Sequence, residues 1–477
     1  MNLLAIDQGT SSTKAMVISE DGAILASASV AVEPTPLGDD GMEQDPDALL
    51  ASIVAAGTEA LKRCGTQVEA VGIANQGETV VAWDPVTSAA LGPAIVWQDR
   101  RAAVVTEERR DHAARLFSLT GLPLDPYFTG PKLRWLADRA PAGARVGGID
   151  AWLNLQLTGS AMTDVATASR SALLDLDART WSPEAAEIFG IEVGGLPELV
   201  DCAGALGSTT AFGPDLAITG LCVDQQAALI GEGCLAAGEA KCTYGTGAFL
   251  LASTGADPTR SAHGLSTSVA FQVAGGHGYC LDGQVYTAGS AIDWLLRLGL
   301  LSSPAALDDL VSTADPDATP VCVPAFAGLG APHWEPRGKA VLESMTLATG
   351  AAEIAAAVVE GLAAQVALLA TAAAADLGTP LTVLRVDGGL TGSTALMQRQ
   401  ADLLQIPLEV FSSPHATALG IAALACLGAG GSSELRPLPI VAGRRYEPMM
   451  SADEAAARLA RIEAATERAV AAVEGRP

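Results

Sequence analysis

Leu3-Leu4-Ala5-Ile6-Asp7-Gln8-Gly9-Thr10-Ser11-Ser12-Thr13-Lys14-Ala15-Met16-Val17-Ile18 opens the chain and decides its plan. The apolar run at 3–6 reads as a buried strand, residues 7–12 as a tight turn, and residues 13–18 as a second strand. Asp21-Gly22 turns the chain into a third strand over 23–30. A meander followed by a helix is not the start of a βαβ dinucleotide-binding unit. The helix is expected from Asp45-Pro46, where Asp caps and Pro fits the first turn, to about residue 62. Further strands are expected at 68–74 and 80–83, and one charged amphipathic helix over 99–116.

The opening pattern returns in the second half. Residues 240–243 and 248–253 read as strands around the turn Tyr244-Gly245-Thr246-Gly247, a loose echo of Asp7-Gln8-Gly9-Thr10. Two domains of similar plan follow, 1–230 and 231–477, with a cleft between them. Ala-rich helices are expected at 351–377, 394–404, 416–427 and 452–473. The strand Leu384-Arg385-Val386-Asp387 ends in the pair Gly388-Gly389.

Composition bounds the function. The 477 residues are 49% hydrophobic and 17% charged, enough to build several cores. A net charge of −26 repels nucleic-acid phosphates and anionic lipid surfaces, so neither is an expected partner. The N-terminus has no signal-peptide pattern, and a cytoplasmic location is expected. The apolar stretch between Glu360 and Asp376 reads as too short and too weakly apolar to span a bilayer. Eight cysteines and five histidines show no metal-ligand spacing.

Three glycine-bearing turns follow strands, after Asp7, after Tyr244 and after Asp387. Glycine lets the backbone approach a phosphate, and exposed turn N–H groups bind its oxygens. Thr10, Ser11, Thr13 and Thr246 add hydroxyls, and Lys14 adds a cation. The chain has no P-loop motif. A nucleotide clamped between domains is the expectation. Asp224, in Cys222-Val223-Asp224-Gln225-Gln226, stands between a strand over 216–223 and a helix from Ala227 onward. It reads either as a base for a substrate hydroxyl or as the cap of that helix. Asn75, Gln76, Glu78, Trp97, Tyr127 and Phe249 form a polar and aromatic group.

These residues, with Trp97-Gln98-Asp99-Arg100-Arg101, Asp125-Pro126-Tyr127-Phe128, Thr167-Ala168-Ser169-Arg170 and Asp224-Gln225-Gln226, run collinearly over nearly the whole chain. The pattern resembles the FGGY carbohydrate kinases, most closely those acting on glycerol. The resemblance implies an α/β fold of two ribonuclease-H-like domains, as in the actin/hexokinase superfamily, closing over ATP, Mg²⁺ and a small polyol or sugar. By the same resemblance Asp224 is the catalytic base and Asp7 helps hold Mg²⁺. Thr10, Ser11, Ser12, Lys14 and Thr246 face the phosphates. Gly289, Asp293, Gly389 and Ser393 border the nucleoside. Gln76, Glu78, Trp97, Tyr127, Asp224, Gln225 and Phe249 form the acceptor pocket. A homodimer or homotetramer is implied by analogy alone.

Departures from the pattern matter. Glycerol-specific members carry Arg where this chain has Gly77, Gln where it has Asp293, and Asn where it has Ser393. The stretch 209–218 lacks the Gly-rich, Arg-containing loop that binds fructose bisphosphate in enteric members. The primary expectation is ATP-dependent phosphorylation of a primary hydroxyl of a small polyol, with glycerol as the first guess. The alternatives are a kinase for a longer polyol or a ketose, favoured by Gly77, and a non-enzymatic actin-like ATPase or sensor.

Overall fold

The computed structural model describes residues 1–38, 40–439 and 443–474. Strands β1 (Asn2–Gln8), β2 (Ser12–Ser19) and β3 (Ile24–Ala31) form the expected antiparallel meander. Helix α1 (Pro46–Cys64) follows. Asp45 accepts a hydrogen bond from the Asp47 N–H at its start, and Gly65 ends it in the left-handed conformation. Strand β4 (Ala70–Asn75) runs parallel to β1. After β5 (Ser208–Thr209), β6 (Leu216–Val223) adds parallel to β4 and leads into α2 (Asp224–Gly231). The first sheet has the order β5-β6-β4-β1-β2-β3. Alternation along β1 sends Leu4 and Ile6 into a core with α1, and Leu3 and Ala5 into a core on the other face.

The second sheet repeats this plan. It contains β7 (Ala240–Tyr244), β8 (Ala248–Gly255), β9 (Ser266–Val273), β10 (Gly276–Val285), β11 (Leu384–Asp387), β12 (Leu408–Val410) and β13 (Arg445–Tyr446). Its order is β9-β10-β8-β7-β11-β12-β13, and β7, β11 and β12 are parallel. The series β3-β2-β1-β4-β6 and β10-β8-β7-β11-β12 are the same arrangement, an antiparallel meander extended by two parallel strands. The expected two-domain α/β fold is therefore present.

Helices α3 (Ala351–Leu377) and α4 (Thr394–Leu404) pack together in the second domain. Helix α5 (Ala416–Gly428) comes late in the chain, yet it packs against α2, β1, β4 and β6 of the first sheet. Glycine makes that contact possible. A Cβ on Gly231 would strike the carbonyl oxygen of Ala416, and one on Gly420 would strike that of Ala227.

Three expectations are corrected. Residues 99–116 form two helices, Ala103–Glu108 and Ala113–Thr120, joined by a 3₁₀ turn. Positions 106–112 carry no apolar side chain, so nothing holds a continuous helix to the core there. The helix after Asp224 begins at Asp224 itself, three residues earlier than expected. The apolar segment of 360–376 belongs to the 27-residue α3, which is long and apolar enough to cross a bilayer by length and composition. In this fold 67% of its most apolar stretch is buried within the protein, where Val358, Leu362, Val366 and Leu369 fill the second core.

Candidate active site

The strand ends of both sheets converge on one cleft of about 560 Å³. On the first domain, the Gly9 N–H donates to the Ser12 carbonyl and closes the turn after β1 at 3.1 Å. The Thr10 carbonyl accepts from Gln44 Nε2 (2.7 Å), and Thr10 Oγ1 accepts from Trp97 Nε1 (2.8 Å). This fixes the turn so that Gly9, Thr10, Ser11 and Ser12 line the cleft, with Asp7 and its cross-strand partner Lys14 beneath. On the second domain, Gly245 and Thr246 line the facing wall with Gly388 and Gly389. Gly388 adopts φ +95° with a Cβ position blocked by the Tyr244 backbone, so only glycine fits.

Of the residues expected in an acceptor pocket, Glu78, Trp97, Tyr127, Asp224, Gln225 and Phe249 line the cleft. Trp97 meets Tyr127 edge-on at 5.9 Å and Phe249 at 5.8 Å, which makes an aromatic wall from both domains. Glu78 takes φ +49°, an uncommon backbone for a side chain that must point into a cleft. Its Oε1 accepts from Arg170 Nε at 2.7 Å. Asp224 occupies the first turn of α2, and its Oδ1 accepts from the Gln225 N–H (2.7 Å). The carboxylate thus does part of a cap's work while lining the cleft. Val223 holds the cap position itself, so the capping reading is corrected to a contact within the first turn.

Four expected site residues stand elsewhere. Gln76 is buried behind the wall, and its Nε2 donates to Gln44 Oε1 at 2.8 Å. It supports the Gln44 that grips Thr10, and its Oε1 has no hydrogen-bond partner among the described residues. Gly289 starts the helix Gly289–Arg297, and its N–H donates to the Gly245 carbonyl (2.9 Å), beside the second turn. Asp293 lies one turn further and is exposed. The Ser393 hydroxyl caps α4 and donates to Asp308 Oδ1 (2.5 Å), so it is engaged within the protein.

Burial sets the electrostatics. It pushes the Asp224 carboxyl up to about 7, with Asp7 and Glu78 adding to the rise and Lys241 opposing it. Asp7 is pushed up to about 6 by burial, Lys14 opposing and Asp387 adding. Asp387 also rises through burial, and its Oδ1 has no hydrogen-bond partner among the described residues. Asp7 and Asp387 present carboxylates from opposite domains to the same space, with Lys14 acting on both and Lys241 on Asp387.

Sequence reasoning missed several of these groups. Arg170 sits in a buried ion triad with Glu78 (2.7 Å) and Asp282 (2.5 Å) and also donates to Ser268 (2.9 Å). It was visible within the motif at 167–170 but carried no role. Asp282, Asp387 and Lys241 gave no local signal, because they gain meaning only when the two sheets face each other. The absence of metal-ligand spacing also needs correction, since folding brings Asp164, Cys202 and Cys222 together. There the Cys202 thiol donates to Asp164 Oδ1 at 3.4 Å, while Asp164 also accepts from the Thr167 N–H and hydroxyl. The cluster is a satisfied hydrogen-bond network.

Models of the FGGY family of carbohydrate kinases match the chain twice, the N-terminal domain over residues 2–231 and the C-terminal domain over residues 240–429. The chain belongs to the FGGY family of carbohydrate kinases. The kinase is 40% identical to a glycerol kinase of Alkalilimnicola ehrlichii over 98% of both chains. It is 40% identical to one of Thermus brockianus over 90% of both. Its fold matches the crystal structure of Plasmodium falciparum glycerol kinase with ADP at a TM-score of 0.89, with 31% identity over 98% of each chain. This FGGY kinase is a phosphotransferase with an alcohol group as acceptor.

Proposed function

We propose that this kinase uses Mg·ATP to phosphorylate a primary hydroxyl of a small polyol, with glycerol as the first substrate to test. The observation that carries the reading is Asp224. Its carboxyl is half-buried at the cleft wall, raised to about 7, and placed beside Gln225, Glu78 and an aromatic wall. A base with a pKa near the working pH is well matched to taking a proton from a hydroxyl. Trp97, Tyr127 and Phe249 would cover the carbon backbone of the acceptor, while Glu78 and Gln225 would bond its hydroxyls.

The opposite end of the cleft suits a polyphosphate. The turn at 9–12, Lys14, Thr246 and the pair Gly388-Gly389 would supply N–H groups, hydroxyls and one cation. Asp7 and Asp387 fit a hard divalent ion, because they are carboxylate oxygen donors that face one space from opposite domains. Bound there, Mg²⁺ would neutralise phosphate charge as the phosphoryl group moves. The chain's own part is to position the two substrates, hold the acceptor proton at Asp224 and exclude water.

A longer polyol or ketose is the second reading, and Gly77 favours it. This residue lines the cleft without a side chain. Arg170, the guanidinium nearest to hand, is occupied by Glu78, Asp282 and Ser268. Release of ADP, measured with Mg·ATP across glycerol, erythritol, threitol, xylitol, ribitol, xylulose, ribulose and dihydroxyacetone, tests both. A clear preference for glycerol supports the first reading and a preference for a longer acceptor the second. Acceptor-independent ADP release unaffected by Asp224→Asn would overturn them together.

A further inference from the structure

Lys241 lies on β7 of the second domain and is fully buried. A buried ammonium needs partners for its donors, and it finds two. Its Nζ donates to Gln225 Oε1 at 2.6 Å and to Thr243 Oγ1 at 2.8 Å. The first of these bonds crosses between domains, because Gln225 belongs to α2 of the first. An ammonium has only donors, so the face of the Gln225 amide turned toward it must be the oxygen. The NH₂ face is then the one left for the cleft that Gln225 lines.

We propose that Lys241 is a positioning residue for the acceptor, holding the Gln225 amide so that its NH₂ group meets a substrate oxygen. The proposal rests on the kinase reading above and deepens it. Asp224, the neighbour of Gln225, accepts; Gln225 held this way donates. Two adjacent residues thereby present opposite hydrogen-bonding characters to the acceptor. A hydroxyl satisfies both, since it donates and accepts, whereas an amine cation satisfies only Asp224. The acceptor class so defined is a neutral polyol or sugar.

The test is a double-mutant cycle on steady-state kinetics with Lys241→Met, Gln225→Ala and the pair together. Wild-type turnover of a polyol first establishes the kinase reading independently. If that fails, the site has been misread whatever Lys241 does. Lys241→Met is expected to raise the acceptor KM roughly tenfold, the loss of about one charged hydrogen bond, and to move the ATP KM less than threefold. In the Gln225→Ala background the same change is expected to cost less than threefold, because its partner is gone. Lys241→Arg is expected to recover most of the acceptor affinity by restoring a cationic donor. Should Lys241→Met prove unstable, Lys241→Arg and Gln225→Glu decide. The first keeps affinity, and the second removes the NH₂ donor and loses affinity despite a stronger pairing with Lys241. Multiplicative effects in the cycle, equal changes in both KM values, or an unchanged acceptor KM in Gln225→Glu would overturn the proposal.

Discussion

Gly77→Arg places a side chain in the barest part of the acceptor wall. The backbone at residue 77 lies outside the left-handed region, so an L side chain is conformationally allowed. A Cβ there stands 2.9 Å from Val223 Cγ2, the free end of a side chain that turns about one bond. Displacing that valine from its preferred rotamer costs about 0.5–1.5 kcal/mol. A guanidinium hydrogen-bonded to a glycerol hydroxyl contributes about 1.5–3 kcal/mol. The rotamer strain is present in free and liganded enzyme alike, so it lowers stability, while the glycerol KM should fall roughly ten- to a hundredfold. Adding Val223→Ala removes the clash, and the fall relative to Val223→Ala alone should reach roughly ten- to a hundredfold. The assay is ADP release against glycerol at saturating Mg·ATP, repeated with erythritol and xylitol, whose KM values should rise as the space fills. An unchanged or higher glycerol KM in the double variant, with a melting temperature matching its control, would refute the reasoning.

Asp224→Asn should lower turnover by roughly a hundredfold or more while ATP still binds, as read by calorimetry; near-normal turnover would remove the base assignment. Because a base must be ionised and burial holds this carboxyl at about 7, acceptor kcat/KM should rise through pH 7 and fall about tenfold per unit below it. A flat profile from pH 5.5 to 8 would contradict this. The raised carboxyl also affects stability: its contribution is fully present below pH 3.8 and lost as pH rises through about 7. The melting temperature of Asp224→Asn should therefore climb relative to wild type between pH 4.5 and 7.5, and a constant gap would show the carboxyl to be unperturbed. Arg170→Met strands two buried carboxylates and should destabilise the fold by about 3–5 kcal/mol in urea titrations, whereas a loss below 1 kcal/mol would mean that the triad is solvated. Gly420→Ala should cost about 1–3 kcal/mol through overpacking, seen as a lower midpoint; an unchanged midpoint would show that α2 and α5 can part freely.

The fold was legible because local chemistry and global arrangement agree over most of the chain. Asp45-Pro46 started α1, and the Ala-rich runs marked α3, α4 and α5 to within a residue. Where local signals lacked a core to reinforce them, as at 106–112, the reading failed. The candidate site divides in the same way. Glycine turns and Asp224 announce themselves by type and spacing, whereas the bond from Gln76 to Gln44 shows only in the fold. Arg170 and Asp282 pair across 112 residues of chain, and Asp387 meets Asp7 and Lys14 from the far end of the sequence. No window of sequence contains such a pairing.

The contact of α2 with α5 has a mechanical consequence. Where Gly231 and Gly420 meet, backbone rests on backbone, and Ala227, Ile230, Leu419 and Ala423 join one core around that point. Such a joint leaves no room for the helices to come closer, and an added methyl group must push them apart. Asp224 sits at the near end of one shaft, seven residues from Gly231, or about 10 Å along the helix. A helix seated at Gly231 in this way is a fixed mount for the carboxylate at its other end.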